Sequence, residues 1–153
     1  MSQDKKLPDL LPWDFAPDYV LTPERILKHQ AELIGQKSGA RLTAEVEHSE
    51  DDKLTEFGFV VNAPVLNYAV RLFRCWHKKG LPYPTTVEFR EFTGGTKSAD
   101  SEKEFRELIQ NAFESSYARS VFQSLLARAG EVADKSGKAA NGALKNPKAE
   151  NRK

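Results

Sequence analysis

The stretch from Phe57 to Phe92, FGFVVNAPVLNYAVRLFRCWHKKGLPYPTTVEFREF, constrains the fold more than any other part of the chain. Aromatic and β-branched residues alternate with polar ones along it, and prolines and glycines divide it into short runs. Successive side chains on a strand point to opposite faces, so an alternating run buries one face and wets the other. The pattern predicts an antiparallel sheet with one open face.

Phe57, Phe59 and Val61 alternate with Glu56, Gly58 and Val60, and Asn62-Ala63-Pro64 ends that strand. The next run reads in two ways. On a strand, Leu66, Tyr68, Val70, Leu72 and Trp76 share a face opposite Asn67, Ala69, Arg71, Phe73 and Cys75. On a helix, Val65, Ala69, Leu72 and Trp76 form a stripe between an Asn62 N-cap and a Gly80 C-cap. The strand is preferred, because four apolar residues alternate from Leu66 through Leu72 and both flanks read as strand. Gly80-Leu81-Pro82-Tyr83-Pro84 is a turn cluster, since residues before proline are pushed out of the helical region. From Thr85 to Phe92, Val87 and Phe89 alternate against Thr86, Glu88 and Arg90. Upstream, Leu42, Ala44, Val46 and His48 oppose Arg41, Thr43, Glu45 and Glu47, and the charged connector Ser49–Lys53 joins this run to the next as a hairpin. A four-stranded antiparallel meander results.

Helices flank it. Thr22-Pro23-Glu24 combines a threonine N-cap, a first-turn proline and an acid placed against the helix dipole. Ile26, Leu27, Ala31, Leu33 and Ile34 follow at helical spacing, predicting a helix from Pro23 to Ser38 with Gly39 as its left-handed cap. Thr93-Gly94-Gly95-Thr96 reads as a loop. Ser101 and Glu104 have the spacing of a capping box, after which Phe105, Leu108, Ile109, Ala112 and Phe113 stripe one helix. Past Ser115-Ser116, Ala118, Val121, Phe122, Leu125, Leu126 and Ala129 stripe another, predicted to end at Gly130. The class is α+β, with one N-terminal and two C-terminal helices packed on one face of the sheet.

The expected organisation is thus an arm, a domain and a tail. Residues 1–21 place Pro8, Pro12 and Pro17 among Leu7, Leu10, Leu11, Trp13 and Phe15, too prolyl for a helix and too apolar for a free end. Such an arm either closes the edge of its own domain or docks a partner through Trp13 and Phe15. Residues 22–130 form the domain. Residues 131–153 carry six basic side chains against three acids, with too little apolar surface to offset ordering entropy, and are expected to be a disordered basic tail.

Function classes narrow mainly by exclusion. The chain has no P-loop, dinucleotide-binding glycine pattern, nucleophile elbow or HExxH. A formal net charge of +1 argues against a dominant role in binding polyanions. No apolar run reaches the roughly 20 residues that span a bilayer. The start MSQDKKLPDLLPWDF lacks a secretory apolar core, and the single Cys75 cannot form an internal disulfide, so the expected location is cytoplasmic.

Four clusters remain. Gly94-Gly95 stands several residues ahead of its helix, a plain turn rather than a phosphate cradle. Cys75 and His77 lie two apart, aimed at one face of a strand, but a metal needs three or four ligands and His29 and His48 belong to other elements. Glu45 with Glu47, and Glu88 with Arg90, could serve a small carboxylate-dependent hydrolase or nuclease, although alternating charge is also how a solvated sheet face reads. Finally Arg71, Arg74, His77, Lys78 and Lys79 lie among Tyr68, Phe73, Trp76 and Tyr83, the mixture that single-strand binders use to track phosphates and stack bases.

No nucleophile, base and orienting group can be assembled from these residues, and no cofactor is implied. The expectation is a non-enzymatic accessory protein, bacterial in type, that binds another protein through Trp13, Phe15, Arg71, Arg74, Trp76, Lys78 and Tyr83. Single-stranded nucleic acid held by the basic and aromatic strand 71–79 is the alternative, and a small hydrolase or nuclease comes third.

Overall fold

A computed structural model describes Leu10 and residues 20–145, the side chains of residues 135–145 excepted. Apart from Leu10, Val20 and Leu21, the predicted arm, Trp13 and Phe15 included, lies outside the described residues. Helix α1 (Pro23–Lys37) leads into β1 (Thr43–Glu50) and β2 (Leu54–Ala63), and a short 3-10 turn (Pro64–Leu66) precedes β3 (Tyr68–Lys78). Strands β4 (Thr85–Glu88) and β5 (Thr96–Ala99) follow, then helices α2 (Glu102–Glu114) and α3 (Ser116–Lys145). The strands form one antiparallel sheet in the order β1-β2-β3-β4-β5.

The α+β architecture and the arrangement of its helices are as the sequence predicts, but the sheet has five strands rather than four. The fifth begins at Thr96, within the predicted loop. Only Ala99 of Thr96–Ala99 is buried, so the segment shows no alternating apolar signal. It pairs because Gly94 and Gly95, at φ 77° and 86°, reverse the chain in a left-handed conformation that residues with a Cβ rarely adopt, bringing Thr96 opposite Glu88.

The ambiguous segment from Val65 is a strand. Pro64 fixes a single turn, Asn67 takes a left-handed φ of 52°, and the extended chain starts at Tyr68, so Leu66 precedes the strand. Strict alternation fails inside β3. Phe59 pairs with Phe73 but Val60 pairs with Arg71, leaving Leu72 as an extra residue in a β-bulge. The extra residue reverses the parity of the strand: Phe73 and Cys75 join Val70 on the core side, and Trp76 moves to the opposite face.

The core lies between the sheet and the helices. Phe59 stacks on Phe73 at 5.2 Å between ring centroids, and Phe113 of α2 meets both rings edge-on at 5.3 and 5.7 Å. Leu27 of α1, Phe105 of α2 and Leu125 of α3 are buried in the same cluster. Offset and edge-on aromatic pairs add about 0.5–1.5 kcal/mol each to the burial of their area.

Caps set the helix boundaries. Thr22 accepts from the Arg25 N–H at 3.3 Å, and Ser101 accepts from the Glu104 N–H at 3.2 Å while the Glu104 carboxylate reaches back to the Asp100 N–H. At Ser115 the chain is extended, with ψ 157°, and its hydroxyl accepts from the Ala118 N–H, which separates α2 from α3. The Glu91 carboxylate also caps α3, accepting from the Tyr117 N–H at 2.8 Å and the Ser116 hydroxyl at 3.3 Å. Helix α3 does not end at Gly130. It runs to Lys145, so residues 131–145, expected within a disordered tail, have helical backbone. An interior glycine costs a helix only about 1 kcal/mol, and between and beyond Gly130, Gly137 and Gly142 stand the good helix formers Glu131, Ala133, Lys135, Lys138, Ala139, Ala140, Ala143 and Leu144.

Candidate functional site

The helices cover one face of the sheet, and the other carries most of the charged strand residues. Alternation from Phe57 and Phe59 on the core side places Glu56 and Gly58 on the open face, and directly opposed partners bring Arg74, Trp76, Glu88 and Glu47 to it. The bulge completes the set. Under strict alternation Arg71 and Arg74 would point to opposite faces, whereas skipping Leu72 puts both on the open one.

The centre of that face is Arg74. Its Nε donates to Glu88 at 2.5 Å and its Nη1 to Glu56 at 2.8 Å, bridging β2, β3 and β4. Hydrogen bonding to Glu88, with the nearby Glu56 charge, raises the guanidinium above its ordinary pKa against the opposing effect of burial. Arg71 reaches across Gly58 to Glu47 at 3.3 Å. A Cβ on Gly58 would lie 3.1 Å from both the Arg71 Nε and a Glu47 carboxylate oxygen, so the absent side chain leaves the pair its path. Trp76 is half-buried beside Arg74, whose guanidinium carbon is 5.4 Å from its ring centroid, and Lys78 is exposed at the strand end.

Of the residues singled out in the sequence, Arg71, Arg74, Trp76 and Lys78 therefore share one face. Tyr83 does not join them. Its ring packs edge-on against Phe105 of α2 at 6.3 Å and its hydroxyl donates to the Leu21 carbonyl at 2.8 Å, so it works on the helix side as an anchor for the chain entering α1. The Leu21 N–H donates to Glu102 at the head of α2, which fixes the same point from the other side. Burial, reinforced by the Glu102 carboxylate, pushes the Tyr83 phenol up to about 12.

The remaining clusters resolve differently. Cys75 is buried, and desolvation pushes its thiol up to about 12, so it is not a thiolate near neutral pH. His77 packs on Phe57 at 5.7 Å, and among the described residues no three His, Cys, Asp or Glu side chains gather as metal ligands. Glu88 and Arg90 do not act as a pair: Glu88 turns to Arg74, and Arg90 lies beyond the end of β4 with its guanidinium carbon 4.2 Å from the centroid of Tyr117. The second carboxylate on Arg74, Glu56, was not singled out in the sequence. Its signal was available, because it alternates with Phe57 and therefore had to face away from the core.

Two depressions border these elements. A groove of about 390 Å³ runs between α1 and α3, walled by Leu33, Ile34, Phe122 and Leu126. A pocket of about 350 Å³ opens beside the bulge, walled by Arg71, Arg74, Glu88 and Arg90.

Comparison of the chain with protein-family models, with curated proteins and with solved structures finds no match. The site therefore has to be read from its own chemistry. No helix among the described residues is long and apolar enough to cross a membrane.

Proposed function

We propose that this chain is a cytoplasmic, non-enzymatic accessory protein that binds another protein on the open face of its sheet. The observation that carries the reading is the ion-pair network on Arg74: Glu56 and Glu88 hold the central cation of the basic strand, and Glu47 takes a second at Arg71. A cation held by two carboxylates, as Arg74 is, makes a poor phosphate tracker, and four carboxylates on the same strands (Glu45, Glu47, Glu56 and Glu88) repel the continuous charge of a nucleic-acid backbone. A half-buried tryptophan beside a fixed arginine, rimmed by exposed charge, instead has the composition of a protein-binding surface, where Trp and Arg carry much of the affinity.

A photoreactive amino acid at position 78, in cells that express the chain, tests the reading. The expected result is a discrete protein adduct that Trp76→Ala weakens. An adduct removed by nuclease would favour the single-strand alternative, which also requires binding that falls steeply with salt. Metal- or substrate-dependent turnover abolished by Glu45→Gln or Glu88→Gln would overturn the proposal.

A further inference from the structure

Strand β3 is longer than its neighbour on one side. It pairs with β2 along its length, but with β4 only from Arg74 to His77. Residues 68–73 therefore have a strand on one flank and none on the other. Beyond Glu88 the chain turns away in a tight loop, where the Phe89 N–H donates to the Gly95 carbonyl at 3.0 Å and the Gly95 N–H to the Phe92 carbonyl at 2.8 Å. The result is a notch, with Leu72 and Phe73 on β3, Phe89 and Arg90 on the loop, and the pocket of about 350 Å³ between them. On the side away from β2, residues 69–73 have no backbone hydrogen-bond partner among the described residues. An open strand edge of this kind accepts an added extended segment through main-chain hydrogen bonds.

Charge specifies what that segment carries. Three arginines line the notch against one carboxylate, Glu88, which Arg74 already holds. Arg71 meets Glu47 with both side chains about half exposed, a weakly held pair. Arg90 stacks on Tyr117 and has no carboxylate partner among the described residues, because the adjacent Glu91 is turned to the start of α3. Stacking covers one face of a guanidinium and leaves the N–H groups on its rim able to grip a carboxylate at two points.

Resting on the reading of the chain as a protein-binding module, we infer that the notch receives an extended segment of the partner protein whose side chains bear carboxylates. Main-chain pairing with residues 69–73 supplies the register, and Arg71 and Arg90 grip the acidic side chains. A nucleic acid fits less well, since it has no amide ladder to offer the strand edge.

The inference is tested on the full chain, isotopically labelled for amide NMR, with a short synthetic peptide of alternating Thr and Glu and its Gln and Lys counterparts. The Glu peptide is expected to shift the amides of residues 69–73 and slow their hydrogen exchange, and the Gln peptide to bind roughly tenfold more weakly, the scale of a lost charge-assisted hydrogen bond. Arg90→Gln and Arg71→Gln, each checked for unchanged melting, are expected to weaken the Glu peptide roughly fivefold or more on the same grounds. No binding of the Glu peptide at millimolar concentration, equal binding of the Gln peptide, shifts confined to other elements, or stronger shifts of these amides by oligothymidylate would each overturn the inference. The two proposals fail separately. A position-78 adduct that persists in an Arg71→Gln, Arg90→Gln double variant removes the notch and leaves the protein-binding reading standing, whereas no protein adduct in the unaltered chain removes that reading itself.

Discussion

The Tyr83 hydroxyl donates to the Leu21 carbonyl at 2.8 Å, tying the turn after β3 to the residue before the α1 cap across 62 positions of sequence. Tyr83→Phe keeps the ring against Phe105 and removes only this bond. The expected cost is about 1 kcal/mol, a fall in Tm of roughly 3 °C for a chain of this size. Because burial raises the phenol from 10.0 to about 12, the folded state holds its proton more tightly than the unfolded state. That contribution is whole below pH 10 and is lost as pH rises through about 12. Ultraviolet titration of the tyrosines checks the point: Tyr83→Phe should delete a component titrating near 12, and an unchanged curve would contradict the anchor.

Cys75 offers a second test with the same sign. Desolvation raises its thiol from 9.0 to about 12, so its share of stability is intact below pH 9 and disappears as pH climbs through about 12. Buried and protonated, it should react with an aromatic disulfide reagent near neutral pH only as fast as the protein opens. Adding denaturant should accelerate the reaction in parallel with unfolding measured by fluorescence. Fast labelling in native buffer would show that the thiol is reachable without opening.

Arg74→Ala leaves Glu56 and Glu88 facing each other without their shared cation. All three side chains are more than a third exposed, so the loss should be about 1 kcal/mol, within the range of surface pairs. Thermal melts at low salt should show it most clearly, with the difference shrinking as salt is added or as the carboxylates are protonated. Adding Glu88→Gln to Arg74→Ala should recover part of the stability. A loss independent of both salt and pH would mean that Arg74 acts by packing rather than charge.

Removing residues 135–153 separates helix from core. The last buried apolar side chain on the described part of α3 is Ala129. Truncation should therefore lower the helical signal in circular dichroism while changing stability by less than about 0.5 kcal/mol, as for surface changes elsewhere. A larger loss would place side chains beyond Asp134 in packed contact with the domain.

Much of this fold could be read from residue order because its signals are local. Thr22-Pro23 and Ser101 with Glu104 start helices where the caps form, and Phe57, Phe59 and Val61 bury the face that their alternation assigns. What was not legible depended on pairing across the sheet. Leu72 looks like any apolar strand residue until Phe73 and Arg71 are seen to oppose successive residues of β2. Thr96–Ala99 becomes a strand only because Thr85–Glu88 lies beside it. At the site, Arg71, Arg74, Trp76 and Lys78 were found by composition, whereas the removal of Tyr83 to the helix side required knowing where α2 packs.

The Glu91 carboxylate that caps α3 has a mechanical consequence. Its neighbour Arg90 lies against Tyr117, so two adjacent loop residues grip the first turn of a helix of 30 residues, a rod about 45 Å long at 1.5 Å per residue. The same stretch is buried against the core through Ala118, Leu125 and Ala129, so loop and core clamp the first half of the rod together, and a displacement of Arg90 or Glu91 has to strain that packing before it can tilt the helix.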